Sequence, residues 1–359
     1  MVTTDLPHDL ETEILSRVPA TCLQKLQTTC KRWYALFRDP RFAKKNFGKA
    51  AAQVILINDY RGYSATLMDT LIHRVNLHGI QNSFDPSFEV AVELNKLNDS
   101  EQFKLSSILT HCEGLLLCTT EDSKLVVWNP CTGQTRWIQS GDYWYSPPKF
   151  EIYEFNSEYS WRVLDDVSPK FFIHSNGVTL KGNAYWYASD KEDPLFVFIL
   201  KFDFATERFG RMRLPLSFKR TSYVGVVLSV VREEKLALLQ QHGVGIDSLK
   251  MDIWVTKTKM IDEAKDLSWS NFLVVDLGKV MLPGPDVMSH IISFLVDEKN
   301  KMVVCCDTEL PSLTDPMRTM TKFYFAIEGI QVHNLIVQEP QGTAWPFLVS
   351  YVPSLVQIH

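Results

Sequence analysis

The sequence predicts a two-part α+β chain, in which a small N-terminal helical module precedes an all-β body of the propeller type. Three observations predict this. The length of 359 residues suits about two domains. Apolar residues follow a helical period only within the first fifty positions. From residue 54 onward, short β-rich runs alternate with turn signals, and parts of them repeat at the spacing of propeller blades.

Composition excludes several classes of protein. Apolar residues make up 45% of the chain and charged residues 22%, as in ordinary folded domains rather than disordered chains. The longest nearly unbroken apolar run, 224–231, is far shorter than the ~20 residues of a membrane helix, so no membrane partner is expected. Seven cysteines without CxxC spacing, together with an N-terminus unlike a secretory signal, predict the nucleus and/or cytoplasm.

Charge is divided unevenly between the two parts. The first fifty residues carry nine Lys/Arg and five Asp/Glu, whereas the remaining 309 have a net charge of −9 within a total of −5. The basic residues are not concentrated into the stripe that nucleic-acid binding requires, so no nucleic-acid partner is expected. The pair Lys44-Lys45 is interpreted as part of a solvated charged face.

A first helix is predicted from apolar residues that recur every four positions. These residues are Leu6, Leu10, Ile14 and Val18. Pro7 suits the first turn of this helix, where a missing N–H is harmless. Pro19 should end the helix, because the residue before a proline avoids the α region.

Two further short helices are predicted, which makes three in the module. Thr21 and Gln24 resemble a capping box at the start of the second helix. The third contains Trp33 and is followed by apolar residues beyond the turn at Asp39-Pro40. Helices this short bury too little surface to be stable alone. Either the β body or a partner protein should cover the excess apolar surface.

The N-terminal module carries a recognisable motif. In chain order, the motif residues are Leu6, Pro7, Leu10, Ile14, Leu15, Pro19, Leu23, Cys30, Lys31 and Trp33. Over residues 1–48 this pattern resembles an F-box. The resemblance implies that the same ten residues bind a Skp-type adaptor, which connects F-box proteins to the cullin and RING subunits of a ubiquitin ligase. Trp33 could serve either that interface or the core of the module.

The predicted strands of the body are short β-rich runs bounded by Gly, Pro, Asn and Asp clusters. They lie at 54–58, 115–118, 124–129, 184–188, 196–204, 223–231, 251–256, 290–296 and 323–327. Turn signals at this density are typical of a sandwich, a barrel or a propeller.

An internal repeat favours the propeller. The repeated unit is an apolar strand, a turn and a second strand, and it occurs at 125–138, 150–164, 199–214 and 251–276. Equivalent positions in the units are Trp128, Glu154, Asp203 and Trp254. Their spacings are 26, 49 and 51 residues. The last two match a propeller blade of roughly 40–50 residues, whereas the first is about half a blade.

The same region resembles the plant F-box-associated (type 1) domain, a β-propeller-like family, and we assign it to residues 50–359. The characteristic stretches are 111–138, 151–165 and 177–188. Members of that family have a longer segment between the first two stretches than the residues 139–150 found here. The shortening predicts a missing hairpin, which would leave the propeller imperfectly closed or with an edge to be covered.

No motif for catalysis or metal binding is found. GxSxG, HExxH, P-loop and GxGxxG patterns are absent from the sequence. His111-Cys112 is read as preceding a strand, with the two side chains pointing apart, which predicts packing rather than a catalytic dyad. Asp165-Asp166 and His242 are interpreted as turn residues. The tryptophans at 128, 137, 161, 186, 254 and 269 are interpreted as blade core. No catalytic residue, metal site or cofactor is therefore predicted.

The resemblances together imply a substrate-receptor subunit of a Skp–cullin–F-box ubiquitin ligase, without catalytic activity of its own. The F-box would bind the adaptor and the β domain would recruit a target protein, through loops on one propeller face. Candidate loops are 139–149, 188–194, 257–268 and 307–320. No individual substrate-binding residue is predicted.

Three alternatives stay open at this level. One is an adaptor-independent binding protein with a degenerate receptor domain. Another is a propeller hydrolase with a central metal, although the nine scattered histidines show no ligand spacing. The third is glycan recognition by the β body, which the aromatic content permits.

Overall fold

A computed structural model gives the structure of the chain. It describes residues 6–47, 49, 53–59, 70–75, 88–90, 105–120, 122, 124–138, 150–153, 161–164, 170–218, 225–232, 234–243, 250–257, 267–276, 289–309, 320–327, 330–337 and 347–358. The residues up to 47 are called the helical module, and those from 53 onward are called the β body.

Four short helices, rather than the three predicted, form the described helical module. They are α1 (His8–Leu15), α2 (Ala20–Leu26), α3 (Lys31–Phe37) and α4 (Pro40–Phe47). The additional helix arises because Pro40 begins a new helix instead of only turning the chain. The Asp39 carboxylate accepts the N–H of Arg41 at 2.8 Å and thereby caps this helix.

Prolines set the starts of α1 and α2. Pro7 and Pro19 are the N-cap residues, with extended ψ values of 138° and 136°. Helix α1 ends at Leu15, three residues earlier than predicted. The predicted capping box is wrong, because α2 begins directly after Pro19 and therefore already contains Thr21.

The helical module and the β body share one hydrophobic core. Leu15, Leu23 and Phe37 of the module are buried in a cluster that also contains Cys131 and Leu355 of the β body. The β body therefore covers part of the apolar surface that the module cannot bury by itself.

In the described part of the β body there are twenty-three strands. They are β1 (Gln53–Asp59), β2 (Thr70–Val75), β3 (Phe88–Val90), β4 (Leu105–Cys112), β5 (Leu115–Thr120), β6 (Leu125–Trp128), β7 (Thr135–Ile138), β8 (Glu151–Tyr153), β9 (Trp161–Val163), β10 (Phe171–Ile173), β11 (Val178–Leu180), β12 (Asn183–Asp190), β13 (Val197–Asp203), β14 (Arg208–Met212), β15 (Gly225–Val231), β16 (Lys235–His242), β17 (Lys250–Thr256), β18 (Trp269–Asp276), β19 (Ser289–Asp297), β20 (Met302–Glu309), β21 (Met320–Ile327), β22 (Ile330–Val337) and β23 (Phe347–Tyr351).

These strands form six antiparallel sheets, numbered here along the chain. Sheet I has the order β23-β1-β2-β3, sheet II β4-β5-β6-β7 and sheet III β8-β9. Sheet IV has the order β10-β12-β13-β14, with β11 also paired to β12. Sheet V runs from β15 to β18, and sheet VI from β19 to β22. Sheet I joins the two ends of the β body, since β23 pairs with β1.

The first strands of five sheets meet around one axis. β4 contacts β11, β11 contacts β15, β15 contacts β19, β19 contacts β23, and β23 contacts β4. The Thr179 hydroxyl donates to the carbonyl of His111 at 2.7 Å across one of these junctions. Four-stranded sheets arranged radially around an axis are the architecture of a β-propeller, as predicted.

Sheet III explains the half-blade spacing of the repeat. Its strands β8 and β9 correspond to the third and fourth strands of sheets II, IV and V, because the equivalent positions Trp128, Asp203 and Trp254 all lie on third strands. Glu154 itself lies outside the described residues. Among the described strands, sheet III has no first and second strand, and β4 contacts β11 directly. Residues 139–149, where that hairpin would lie, are outside the described residues, so its loss stays a prediction.

Contacts with sheet IV hold the β8–β9 hairpin. The ring of Phe150 lies 5.6 Å from that of Phe171 and 4.9 Å from that of Phe209. The Arg162 guanidinium donates to both carboxylate oxygens of Glu207, at 2.8 and 2.6 Å. The hairpin is therefore attached to sheet IV by tilted aromatic ring contacts and a bidentate ion pair.

Apolar clusters fill the spaces between neighbouring sheets. Trp254 is fully buried between sheets IV and V, and Trp128 is buried in sheet II. The tryptophans at 137, 161, 186 and 269 are half-buried. Core packing thus accounts for the first two completely and for the other four in part.

One histidine differs from its predicted position. His242 is the last residue of β16 and is buried, with its Nε2 3.0 Å from Asp252 Oδ2 on β17, so its assignment to a turn is wrong. The cross-strand partner keeps it in the sheet. His111 and Cys112 end strand β4 and precede strand β5, as predicted. Asp165-Asp166 lies outside the described residues.

Candidate surfaces for an adaptor and a target

An apolar stripe lies on the outer side of α1. The side chains of Leu6, Leu10 and Ile14 are 45%, 54% and 56% exposed. Leu10 and Ile14, four residues apart, lie on one side of α1, and Leu6 directly precedes its N-cap Pro7. Pro7 and Pro19 are exposed as well. Contiguous exposed apolar residues on a small domain are typical of a protein–protein interface.

Leu15 and Leu23 lie behind this stripe. Both are buried in the core cluster of the module, beside Phe37. In this arrangement they support the helices that carry the stripe and offer no surface to a partner. The ten predicted adaptor-binding residues are thus divided between the surface and the core.

The last three residues of the motif form the start of α3. The Cys30 Sγ accepts the N–H of Trp33 at 3.4 Å as the N-cap of the helix, and Lys31 is exposed. Trp33 is half-buried, 6.2 Å from the Phe37 ring, and its Nε1–H donates to Glu11 Oε1 at 2.7 Å. The indole therefore links the core of the module to a buried carboxylate.

Acidic residues of α1 hold the other helices in place. Glu13 pairs with Lys45 and Lys49 at 2.7 Å and with Arg17 at 2.8 Å. These cations, led by Lys45, hold the pKa of Glu13 far below its usual value. Since Lys45 belongs to α4, this network ties the first helix of the module to the last.

The C-terminal residues 352–358, called the tail, connect the β body to the helical module. The Asn129 amide donates to the carbonyls of Ser354 and Val356, at 3.1 and 2.8 Å. Gln134 Oε1 accepts the N–H of Ile358 at 3.0 Å. Leu355 then enters the core of the module. These residues were not singled out from the sequence, because their contacts join positions more than two hundred residues apart.

Glycine at position 114 allows the tail to pass the β4–β5 turn. A Cβ added to Gly114 would lie 2.3 Å from the Cβ of Ser354, and the glycine has a φ of +77°. The tail therefore lies against the β4–β5 turn and, through Asn129, against the β6–β7 turn. We call this end of the ring the module end, and the opposite end the distal end.

The β12–β13 turn lies at the distal end. The β11–β12 turn is at the module end, because Thr179 bonds to His111 beside the β4–β5 turn, and antiparallel strands place successive turns at alternate ends. Three exposed apolar residues, called the distal patch, lie at or near the β12–β13 turn: Phe172, Leu195 and Phe196. Of the four predicted target-binding loops, only 188–194 lies entirely within the described residues.

Features of the described residues also bear on the alternative functions. No three His, Cys, Asp or Glu side chains converge there as a metal site would require. No helix in the described ranges is long and apolar enough to cross a bilayer. A cavity of about 470 Å³ lies among the first strands of the ring.

Comparisons with known families cover both parts of the chain. Residues 4–45 match the family model of the F-box domain. The F-box associated beta propeller domain matches in two segments, residues 53–147 and 141–358. The two segments overlap at residues 141–147, which lie between sheets II and III in the chain.

Individual relatives match along almost the whole chain. An F-box protein of Arabidopsis thaliana is 61% identical over 360 residues, covering 98% of each chain. Two F-box/kelch-repeat proteins of the same plant are 49% and 44% identical, covering 99% and 100% of this chain and 96% of their own lengths. The latter alignments extend over 395 and 398 positions, so these two relatives contain residues that have no counterpart among the 359 of this chain.

Proposed function

The chain belongs to the family of F-box proteins that carry an F-box associated β-propeller domain, and we propose that it is a substrate-receptor subunit of a Skp–cullin–F-box ubiquitin ligase. An F-box implies binding to a Skp-type adaptor, and no catalytic domain is indicated by the comparisons. In this role the chain performs no bond chemistry. It raises the effective concentration of a target's lysines beside the ubiquitin-carrying enzyme.

The exposed stripe on α1 is the observation that carries the proposal. Leu6, Leu10 and Ile14 face solvent although the module has buried apolar residues of its own and shares a core with the β body. Covering three large aliphatic side chains would contribute several kcal/mol to association, at about 1.5–3 kcal/mol for each fully buried side chain. A helical adaptor groove is the partner that this stripe suits best.

The two ends of the ring then have separate roles in the proposal. The module end carries the adaptor-binding helices, held by Leu355 and by the Asn129 hydrogen bonds. We place contacts with the target protein at the exposed distal patch, Phe172, Leu195 and Phe196. A rigid connection between the ends favours ubiquitin transfer, because it fixes the position of the target relative to the adaptor. We place this activity in the nucleus and/or cytoplasm, from the cysteine usage of the sequence.

Recovery of the ligase subunits from plant cells tests the proposal. We expect the tagged full-length chain to co-precipitate a Skp-type adaptor and a cullin. The Leu10→Asp variant should co-precipitate neither the adaptor nor the cullin, although the variant protein is as abundant in the cells as the parent. Recovery of neither subunit by the folded parent would contradict the receptor role and favour an adaptor-independent binding protein.

A further inference from the structure

The described walls of the cavity on the axis of the β body carry no carboxylate, ammonium or guanidinium group. It measures about 470 Å³, and residues of β4, β15, β19 and β23, together with the segment from β10 to β11, form its described lining. No Asp, Glu, Lys or Arg is present in that lining. The volume lies within the range of small-molecule sites, roughly 300–1,000 Å³.

One wall of this axial cavity is formed by an interruption of a strand. β10 and β11 both pair with β12, and residues 174–177 between them leave the regular ladder. The Tyr187 N–H donates a hydrogen bond of 2.9 Å to the Ser175 hydroxyl oxygen instead of to a backbone carbonyl. Such interruptions redirect side chains and are frequent beside functional sites. Here the interruption places Asn176 in the cavity wall, exposed and without a side-chain hydrogen bond among the described residues.

The interrupted segment is held in one position. A Cβ at Gly177 would lie 2.4 Å from Trp186 Nε1, so any larger residue would displace the segment or the indole. His174 Nε2 lies 2.7 Å from the Ser189 hydroxyl, and its ring lies 5.7 Å from that of Tyr187. The position of Asn176 is therefore set by its neighbours before any ligand arrives.

The other walls combine one unpaired hydroxyl with apolar surface. Thr110 Oγ1 is buried and has no hydrogen-bond partner among the described residues. Its neighbour His111 is uncharged at neutral pH, because burial lowers the pKa of the imidazole to about 4. The ranges 226–230 and 291–295 supply mainly aliphatic lining. The hydroxyl of Ser293 in the second range already accepts the Leu348 N–H at 3.0 Å.

We propose that the axial cavity binds an uncharged organic molecule, with an apolar ring or chain and an amide or hydroxyl group that is hydrogen bonded by Asn176 and Thr110. A charged ligand is disfavoured, because burying it here would leave its charge without a partner. This site goes beyond the proposed receptor function, since it uses no residue of the adaptor-binding stripe or of the distal patch.

Three matched one-ring probes test the charge preference on the full-length chain. Saturation-transfer NMR at neutral pH compares benzamide, benzoate and benzylammonium. Benzamide should receive saturation and bind at least roughly tenfold more tightly than either ion, a difference of about 1.4 kcal/mol. Equal binding of all three probes, or no binding of benzamide, would overturn the proposal and leave a cavity filled by water only.

Two variants locate the binding within the cavity. Asn176→Leu removes the amide, and Thr110→Val removes the unpaired hydroxyl at constant shape. Each should weaken benzamide binding roughly fivefold, the effect of one neutral hydrogen bond. Asn271→Leu, an exposed asparagine on the outer strand β18, is the matched control and should change nothing. Equal effects of Asn176→Leu and Asn271→Leu would contradict the site.

Because adaptor binding is measured separately on the same proteins, failure of either proposal is distinguishable from failure of the other.

Discussion

Glu11 is a buried carboxylate at the centre of the helical module. Its Oε1 accepts the indole N–H of Trp33 at 2.7 Å and also pairs with Arg32. The Trp33 hydrogen bond and the Arg32 contacts hold the pKa of Glu11 below its usual value. This carboxylate therefore stabilises the folded module above the unfolded-state pKa, and the contribution is lost as pH falls through the folded-state pKa.

Replacing this carboxylate should weaken the module. Glu11→Gln keeps the shape of the side chain but loses the charge that Trp33 and Arg32 contact. We expect the free energy of unfolding of the module to fall by about 1–3 kcal/mol at pH 7, as for a hydrogen bond to a charged group. Hydrogen exchange of residues 6–47 measures this. The exposed Glu192→Gln is the control, and an equal loss of protection in both variants would contradict the role of Glu11.

His111 should make the stability of the β body depend on pH. Its pKa is lowered by burial to about 4 in the folded chain, against about 6.5 for an unfolded histidine. The unfolded state therefore binds the proton first, so the free energy of unfolding is highest above about pH 6.5 and falls towards pH 4. The loss amounts to at most roughly 3 kcal/mol.

Urea denaturation at pH 7 and pH 5 checks this dependence. His111→Gln should flatten the difference in the free energy of unfolding between the two pH values. His8→Gln, at an exposed position of α1, should leave it as in the parent. An unchanged difference in His111→Gln would show that another group causes the loss.

At the scale of elements, the tail decides how the two parts of the chain are joined. Leu355 is buried among module residues, and Asn129 bonds two tail carbonyls. The Cys131 thiol lies in the same cluster, and burial raises its pKa to about 12. The tail thus contributes to the core that the module and the β body share, and a substitution there should destabilise both parts.

Shortening one tail side chain should loosen this junction. Leu355→Ala removes a buried side chain from the shared core and should lower the free energy of unfolding by about 2–5 kcal/mol. Limited proteolysis should then cut faster between α4 and β1. Leu216→Ala removes a fully exposed leucine and should leave both measurements unchanged. Equal cleavage of the two variants would mean that the tail does not hold the module.

The sequence predicted most elements, and its errors have local causes. Helices α1 to α3 and the main strands follow from apolar periodicity and turn residues. The sequence does not predict the fourth helix, because Asp39-Pro40 is typical of a turn. A proline is, however, also well suited to the first position of a helix. His242 was misplaced because the glycine after it suggested a turn, whereas its cross-strand contact with Asp252 keeps it in β16.

The sequence alone does not distinguish which residues of the adaptor-binding motif are on the surface and which are in the core. The motif contains exposed Leu10 and Ile14 beside buried Leu15 and Leu23, and all four are aliphatic residues at similar spacing. Only the packing of the helices distinguishes the residues that can touch a partner from those that support them. The axial cavity could not be predicted either, since its walls come from strands far apart in the chain.

For the whole molecule, the junction between β4 and β11 is where the predicted loss of a hairpin would act on the propeller. The first strands of five sheets contact one another around the axis, and the described part of sheet III contributes only an outer pair. The relative with 61% identity aligns over 360 residues and so has nearly the same length, whereas two longer relatives align over 395 and 398 positions. The relative with 61% identity therefore has about the length of this chain, and the two longer relatives contain residues that have no counterpart in it.

The adaptor-binding stripe is the centre of the account, because the function of the whole molecule depends on it. Ile14 and Val274 are aliphatic residues with nearly equal exposure, 56% and 57%, on opposite parts of the chain. Ile14→Asp places a charge in the stripe, and Val274→Asp places the same charge on β18. Since both side chains face solvent, neither substitution should unfold the chain.

Titration calorimetry of a purified Skp-type adaptor into the full-length parent and these two variants tests the account most directly. We predict binding by the parent and by Val274→Asp, and at least roughly a hundredfold loss of affinity in Ile14→Asp, which corresponds to about 2.7 kcal/mol. Binding of equal strength by all three folded proteins, or binding by none of them, would contradict the assignment of this stripe as the adaptor-binding surface.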